Sequence, residues 1–179
     1  HNQKQINVFV AFDNEEIGSA TKQGADSNYL IHTLERIVLG LGYTRENFLR
    51  MLSGSFMLSA DAAHAAHPAH MNKTDPTSIG RINEGISVKI SARQKYTSDG
   101  FSTSVIKQII DGTDIKIQPF VNESNELGGI TIGPISSTHL EIDGIDVGIP
   151  MLAMHSAREL CGVSDVYFLK ELATEFFEK

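Results

Sequence analysis

The sequence predicts an α/β fold, a three-layer sandwich in which helices cover a mixed, largely parallel β-sheet. Short apolar runs rich in β-formers alternate along the chain with longer stretches whose apolar residues recur at helical spacing. Glycines and N-capping residues separate these runs, so strands and helices alternate. At 179 residues, the chain suits one domain, since domains commonly hold about 100 to 200 residues.

The first predicted elements are a buried strand and an amphipathic helix. Residues 6–12 form an apolar run that ends at the acidic turn 13–16. Asp26 is a good N-cap, and Gly40 and Gly42 end the helical pattern that follows it. The apolar residues of this helix share one stripe, which predicts packing on one face: Leu30, Ile31, Leu34, Ile37, Val38 and Leu41.

The middle of the chain predicts a second helix, a second strand and a long loop. Thr44 caps a shorter helix that runs to Leu52. Residues 55–60 form a buried strand that places Asp61 at its carboxyl end. The stretch 62–81 shows little periodicity, so we expect a loop, and loops of that length are usually functional or disordered.

The rest of the chain alternates strands and helices again. Apolar residues alternate over 86–90, which predicts a half-buried strand, and Asp99 caps the helix that Gly112 ends. The remaining predicted elements are strands over 115–120 and 145–147, a short helix over 131–139 and a final helix capped by Ser164.

Charge and cysteine content narrow the classes of function. The formal net charge of -7 repels a phosphate backbone and an anionic membrane, so we expect no nucleic-acid or membrane partner. No apolar run approaches the roughly 18 residues of a membrane-spanning helix. Cys161 is the one cysteine, which excludes an internal disulfide and fits a reducing compartment. We therefore expect a soluble, cytoplasmic protein.

Acidic residues are predicted at the carboxyl ends of two strands, where the working groups of open α/β sheets gather. Glu15 and Glu16 follow the first strand, and Asp61 follows another. Adjacent residues in an extended turn point in different directions, so one glutamate can bind a metal while the other faces a bound water. Taken alone, such an acidic pair is usually a solvated surface feature.

His155 offers one route to a metal site. Zinc accepts imidazole nitrogen and carboxylate oxygen, so Glu16, Asp61 and His155 form a chemically reasonable ligand set if the fold brings them together. A lone histidine is otherwise more often structural.

A local histidine series offers a rival metal site. His64, His67 and His70 recur at every third position, although Pro68 interrupts the helix that would align them. The alternative is a loop whose histidines form hydrogen bonds, line a pocket or face solvent.

Four short motifs occur in order along nearly the whole chain: DNEEIGS at 13–19, SADAAHAAHP at 59–68, IGP at 132–134 and MHS at 154–156. Together they resemble the aspartyl aminopeptidase and vacuolar aminopeptidase I family of two-zinc metallopeptidases. The resemblance implies a zinc-peptidase-like sandwich with two zinc ions per complete active site. It also implies release of N-terminal residues, including Asp or Glu, from peptides by a homo-oligomer, a dodecamer in the family.

The resemblance implies a role for each matching residue. Glu15 looks like the general base, Glu16 and His155 like terminal ligands of one zinc, and Asp61 like a terminal ligand of the other. In this mechanism the metals acidify a bridging water, and Glu15 moves its proton to the leaving amine.

Two further residues resemble substrate contacts. His64 is the best candidate of the histidine series for touching substrate. Lys89 resembles the family's contact for acidic side chains, since its charge suits a substrate Asp or Glu. The alternative for Lys89 is a solvated lysine on a strand edge.

The family's remaining ligands, a histidine and a bridging aspartate, precede the DNEE motif, with an inserted oligomerisation domain between them. No aspartate precedes Asp13 in this chain, and the only histidine there is His1. We therefore expect residues 1–179 to be the C-terminal portion of a metallopeptidase catalytic domain, without the upstream part and the inserted domain. Alone it should have little peptidase activity.

Two other functions stay open at this point. One is a catalytically incomplete fragment or paralogue that serves as an assembly scaffold. The other is a related two-zinc hydrolase such as a deacylase, which would cleave N-acylated substrates.

Overall fold

The computed structural model describes residues 5–126 and 128–179. The chain divides into two compact units, residues 1–51 and 52–179. No helix in these described ranges is long and apolar enough to cross a membrane.

The regular part of the first unit is helical. Helix α1 spans Tyr29–Gly40, and helix α2 spans Arg45–Ser53, whose last residues belong to the second unit. Thr44 caps α2 as predicted: the Asn47 backbone N–H donates to Thr44 Oγ1 at 3.2 Å, and the Thr44 N–H donates to Asn47 Oδ1 at 3.0 Å.

Residues 6–12 do not form the predicted strand. Their backbone makes no ladder with another strand in the described ranges, and Phe9 is 83% exposed. A strand depends on a hydrogen-bonded neighbour, so β-forming composition alone is not sufficient. The prediction that Glu15 and Glu16 end a sheet strand is therefore wrong for this structure.

The second unit is built on a mixed five-stranded sheet with the order β1-β4-β2-β3, and β5 pairs with β4. The β1–β4 and β2–β3 pairs are parallel, whereas β2 and β5 run antiparallel to β4. The mixed sheet that the sequence predicts is confirmed. The strands are β1 Phe56–His64, β2 Ile86–Ile90, β3 Ile117–Val121, β4 Asp143–Leu152 and β5 Leu160–Cys161.

Three α-helices and one short 3₁₀ helix complete this unit. Helix α3 begins at a capping box, because Asp99 Oδ1 accepts from the Ser102 N–H at 2.7 Å and the Ser102 hydroxyl accepts from the Asp99 N–H at 2.8 Å. The helices are α3 Gly100–Ile109, α4 Ile132–Leu140, α5 Val163–Glu178 and the 3₁₀ turn Met71–Lys73.

The two faces of the sheet differ in chemistry, since successive side chains of a strand point to opposite faces. Ile145 and Val147 of β4 pack in a buried apolar cluster with Ile106 of α3 and Leu172 of α5. Asp146 points the other way and accepts a hydrogen bond from the N-cap residue of α4. Helices therefore cover both faces, which gives the predicted three layers.

Two element boundaries differ from the prediction in ways that affect the site. Strand β1 continues to His64, so Asp61 lies inside the strand rather than after it. Ser164 lies inside α5 and not at its cap. The N-cap residue is Gly162, and the Ser164 N–H donates to Asn83 Oδ1 at 3.1 Å. Buried Asp165 ties the segment before β2 to α5, because it accepts from the N–H groups of Asn83 at 2.6 Å and Gly85 at 2.9 Å.

Candidate active site

Asp61 lies on the polar face of the sheet. It pairs with Gly148 in the parallel β1–β4 ladder, and Ser59, on the same face, donates to Asp146 Oδ1 at 2.7 Å. A Cβ on Gly148 would lie 2.8 Å from the backbone carbon of Ala62. This position in the strand next to Asp61 therefore excludes any side chain.

The sequence prediction missed the buried carboxylate of Asp146. It accepts hydrogen bonds from Ser59 Oγ, Thr97 N, Thr97 Oγ1 and Thr131 Oγ1, at 2.7 to 2.8 Å. These donors belong to β1, the segment after β2 and the N-terminus of α4. Asp146 therefore links three segments of the chain. In the sequence, a charged residue inside the apolar run 145–149 is the feature that could have identified it as a buried carboxylate.

Lys89 of β2 directs its ammonium group at Asp61. The Lys89 Nζ atom lies 3.1 Å from Asp61 Oδ2, and the lysine side chain is only 4% exposed, against 40% for the aspartate. The same Nζ lies 5.6 Å from the centroid of the Tyr96 ring. Lys89 is therefore a buried cation with a carboxylate partner, which differs from a solvated lysine on a strand edge.

Ser87 lies in the same row of the sheet. It pairs with Gly148 of β4, which in turn pairs with Asp61. The Ser87 hydroxyl is buried and has no hydrogen-bond partner among the described residues. Most buried polar groups are hydrogen-bonded, so this hydroxyl is an orphaned polar atom next to the candidate site.

His155 lies on a strained turn just after β4. Its φ of 67° is in the left-handed region, where residues other than glycine are uncommon. The turn is closed by the Ser156 N–H, which donates to the Ala153 carbonyl at 2.9 Å, and by the His155 N–H, which donates to Glu159 Oε1 at 2.6 Å. Such strain persists only where the surroundings enforce it, often at functional sites.

His64 and His155 lie at the same end of the sheet. His64 is the last residue of β1 and pairs with Met151, one residue before β4 ends. Burial lowers the pKa of His64 below its ordinary value, and electrostatic interactions with His155 and Lys89 lower the pKa further. A neutral imidazole is the form that binds metals or accepts a hydrogen bond.

The rival histidine series does not form a metal site. The rings of His67 and His70 lie 5.0 Å apart, but His67 Nδ1 accepts from the Ala69 N–H at 3.1 Å. Across residues 5–126 and 128–179, no three His, Cys, Asp or Glu side chains are grouped so as to hold a metal ion.

The described residues of the second unit include ligand types that zinc prefers, but too few of them lie together to form a complete zinc site. Asp61 and His155 offer a carboxylate oxygen and an imidazole nitrogen, which zinc prefers. A closed or catalytic zinc site takes at least three protein ligands, and the described residues do not gather three. The assignment of Asp61 and His155 as zinc ligands stays a prediction.

Glu15 and Glu16 lie in the first unit, in a turn rather than after a strand. The Gly18 N–H donates to the Glu15 carbonyl at 2.9 Å, and Gly18 has a φ of 113°, which glycine adopts readily. The Asn14 side chain donates to Thr21 Oγ1 at 3.1 Å and holds the turn. The roles of Glu15 and Glu16 stay predictions.

Comparison with known proteins confirms the resemblance that the four motifs indicate. The family model for aminopeptidase I zinc metalloproteases, M18, matches residues 1–177. A probable M18 family aminopeptidase 2 of Clostridium novyi is 56% identical over 174 residues, which cover 97% of this chain and 40% of that relative. The chain thus spans about two fifths of the curated relative's length.

Solved structures are similar over almost the whole chain. The structure of the Ape4 and Nbr1 complex matches with a TM-score of 0.89 and 37% identity, and covers 93% of this chain and 32% of that one. The S. cerevisiae mApe1 dodecamer matches with a TM-score of 0.76 and 28% identity, over 93% of this chain and 36% of that one. By its sequence and its fold, the chain belongs to the M18 family of aminopeptidase I zinc metalloproteases.

Proposed function

We propose that this chain forms part of the catalytic domain of a zinc-dependent aminopeptidase, which removes N-terminal residues from peptides. The observation that carries the proposal is that His64 ends β1 and His155 follows the end of the parallel neighbour β4, with Asp61 three residues before His64, in a chain of the M18 family. Working groups of open α/β sheets gather at these ends.

The proposed metal ligands are those that the family resemblance implies. Asp61 would hold one zinc, and Glu16 and His155 would hold the other. Bound zinc polarises the substrate carbonyl and lowers the pKa of water. The remaining ligands of a two-zinc site belong to parts of the protein beyond these residues, so the 179-residue chain alone has little peptidase activity.

Glu15 carries the proton in this proposal. Its carboxylate accepts a proton from the attacking water and returns it to the nitrogen of the leaving amine. The neighbouring Glu16 would bind the metal, so the two adjacent carboxylates have separate roles.

His64 and Lys89 are proposed to face the substrate. The lowered pKa of His64 keeps its imidazole neutral near pH 7, so it accepts a hydrogen bond without adding charge. The ammonium of Lys89 attracts an acidic side chain, which supports a preference for N-terminal Asp or Glu.

The assembly is proposed to be a homo-oligomer, because the similar mApe1 of S. cerevisiae is a dodecamer. Cytoplasmic residence fits the single exposed cysteine, Cys161. The net charge of -7 favours peptide substrates over nucleic acid or anionic membranes.

Metal content and substrate choice test the proposal together. Elemental analysis of the protein, purified at its native polypeptide length, should give about two zinc ions per chain, as a two-metal site requires. The protein should hydrolyse an unsubstituted aminoacyl anilide and leave its N-acylated form intact. Hydrolysis of the acylated form would favour a deacylase. A protein without zinc or hydrolysis would favour a scaffold.

A matched pair of variants tests the proton carrier. Glu15→Gln should lose activity by at least about a hundredfold, since general base catalysis contributes that much or more, and should retain its zinc. Glu46→Gln, at an exposed position in the first turn of α2, should match the wild type. Full activity in Glu15→Gln would assign the proton transfer to another group.

A further inference from the structure

We propose that Lys89 is a positioning residue for Asp61: its buried ammonium holds one carboxylate oxygen and leaves the other oxygen to face a metal ion. The inference rests on the proposed function, which makes Asp61 a zinc ligand. It assigns Lys89 a task inside the protein, in addition to any contact with substrate.

The sheet register brings the two residues together. Asp61, Gly148 and Ser87 form one row across β1, β4 and β2. Lys89 lies two residues beyond Ser87 and so on the same face of β2. The Lys89 side chain reaches Asp61 across the intervening strand β4, and Nζ lies 3.1 Å from Oδ2.

Because the Lys89 ammonium group is buried, it depends on its ion pair with Asp61. A buried charge is costly unless a counter-charge and hydrogen bonds compensate it. Among the described residues, Asp61 is the carboxylate within ion-pair distance of Lys89. Tyr96 contributes its ring face at 5.6 Å, and burial raises the pKa of its phenol, so it stays neutral and does not compete for the charge.

The surroundings of Lys89 are themselves fixed. The Tyr96 hydroxyl accepts from Asn122 Nδ2 at 3.3 Å, and its ring packs edge-on against Phe120 at a centroid distance of 6.4 Å. Tyr96 and Phe120 belong to a buried cluster with Ala63, two residues after Asp61 on β1. The aromatic ring beside the Lys89 ammonium is therefore held in place by its neighbours.

Two consequences follow for the site. With Oδ2 engaged by Lys89, Asp61 would offer its other carboxylate oxygen to a metal ion. An acidic substrate side chain would have to take the ammonium from Asp61 to pair with it. Outer partners that orient metal ligands commonly set affinity by about ten- to a hundredfold.

The test measures zinc affinity, by competition with a chromophoric chelator, in the protein at its native polypeptide length. Lys89→Met keeps a side chain of similar length but removes the charge. This variant should bind zinc about ten- to a hundredfold more weakly. Lys89→Arg should recover part of the affinity, because it keeps a cationic donor. Lys170→Met makes the same change on the exposed side of α5 and should match the wild type.

Kinetics separate positioning from substrate recognition. If Lys89 positions Asp61, Lys89→Met lowers kcat/KM for substrates with neutral as well as acidic N-terminal residues. Unchanged zinc affinity in Lys89→Met, or a loss confined to acidic substrates, would overturn the inference and leave the aminopeptidase proposal standing. A wild-type protein that neither binds zinc nor cleaves aminoacyl substrates would overturn both.

Discussion

Gly133 of α4 lies directly against the buried carboxylate of Asp146. A Cβ on Gly133 would fall 2.3 Å from Asp146 Oδ1 and 2.6 Å from its carboxyl carbon. The carboxylate cannot move aside, because Ser59, Thr97 and Thr131 hold it in place. The start of α4 and the polar face of the sheet therefore form one interlocked unit.

This contact predicts that Gly133→Ala destabilises the protein. The added methyl group overpacks a filled site, so the free energy of unfolding should fall by about 1–3 kcal/mol in urea titrations. The matched control is Gly100→Ala in the first turn of α3, where a Cβ meets no atom within 4 Å. That variant should be neutral or gain up to about 1 kcal/mol. Equal effects at both glycines would contradict the prediction.

Two serines on the polar face predict opposite results for the same substitution. Ser87→Ala removes an orphaned buried hydroxyl, so the free energy of unfolding should stay level or rise by up to about 1 kcal/mol. Ser59→Ala removes a donor to Asp146 and should lower it by about 1 kcal/mol. Thermal or urea unfolding of both variants measures the difference. A loss in Ser87→Ala as large as in Ser59→Ala would show that the Ser87 hydroxyl has a partner.

His64 predicts a dependence of stability on pH. Its pKa in the folded protein is below the ordinary value of 6.5. As the pH falls below that value, the unfolded chain takes up a proton that the folded protein does not, so the free energy of unfolding decreases. Once the pH is below the pKa of His64 in the folded protein, both states carry the proton and the free energy of unfolding decreases no further.

Urea unfolding from about pH 8 to about pH 5 measures this effect in the wild type and in His64→Gln. The variant lacks the titrating group, so its stability should fall less over the acidic half of the range. Above about pH 7.5 the pH slopes of the two proteins should agree. Parallel curves throughout would mean that burial of His64 does not control its protonation.

The capping box of α3 gives a fourth prediction. Asp99→Ala should lower the free energy of unfolding by about 0.5–2 kcal/mol, because the Ser102 N–H loses its acceptor. Asp99→Asn keeps an acceptor oxygen and should lose less. The Ser102 hydrogen bonds lower the pKa of Asp99 below its ordinary 3.8, so the charge-dependent part of its contribution is present above that pH and is lost as the pH falls through the folded pKa. An Asn variant as unstable as the Ala variant at neutral pH would assign the effect to charge alone.

The order of strands and helices could be predicted where local signals decide the element. Thr44 and Asp99 cap their helices through bonds to residues three positions away, which sequence spacing reveals. Residues 6–12 have equally clear β-forming composition, yet form no strand in the described ranges. A strand depends on a distant neighbour, and composition carries no information about that neighbour.

The sequence motifs predict candidate site residues, but they do not predict the contacts between them. The motifs singled out Asp61, His64 and His155, and the parallel β1–β4 register places the two histidines at one end of the sheet. The pairing of Lys89 with Asp61 crosses the strand that lies between them. That relationship joins three strands distant in sequence, so local patterns could not reveal it.

The chemical difference between the two faces of the sheet bears on how such proteins change over generations. Ile145 and Val147 contribute hydrophobic burial on one face, and their neighbour Asp146 organises polar groups on the other. Substitutions on the polar face leave that burial intact. Side chains on the polar face can therefore change over generations while the apolar face keeps the sheet folded.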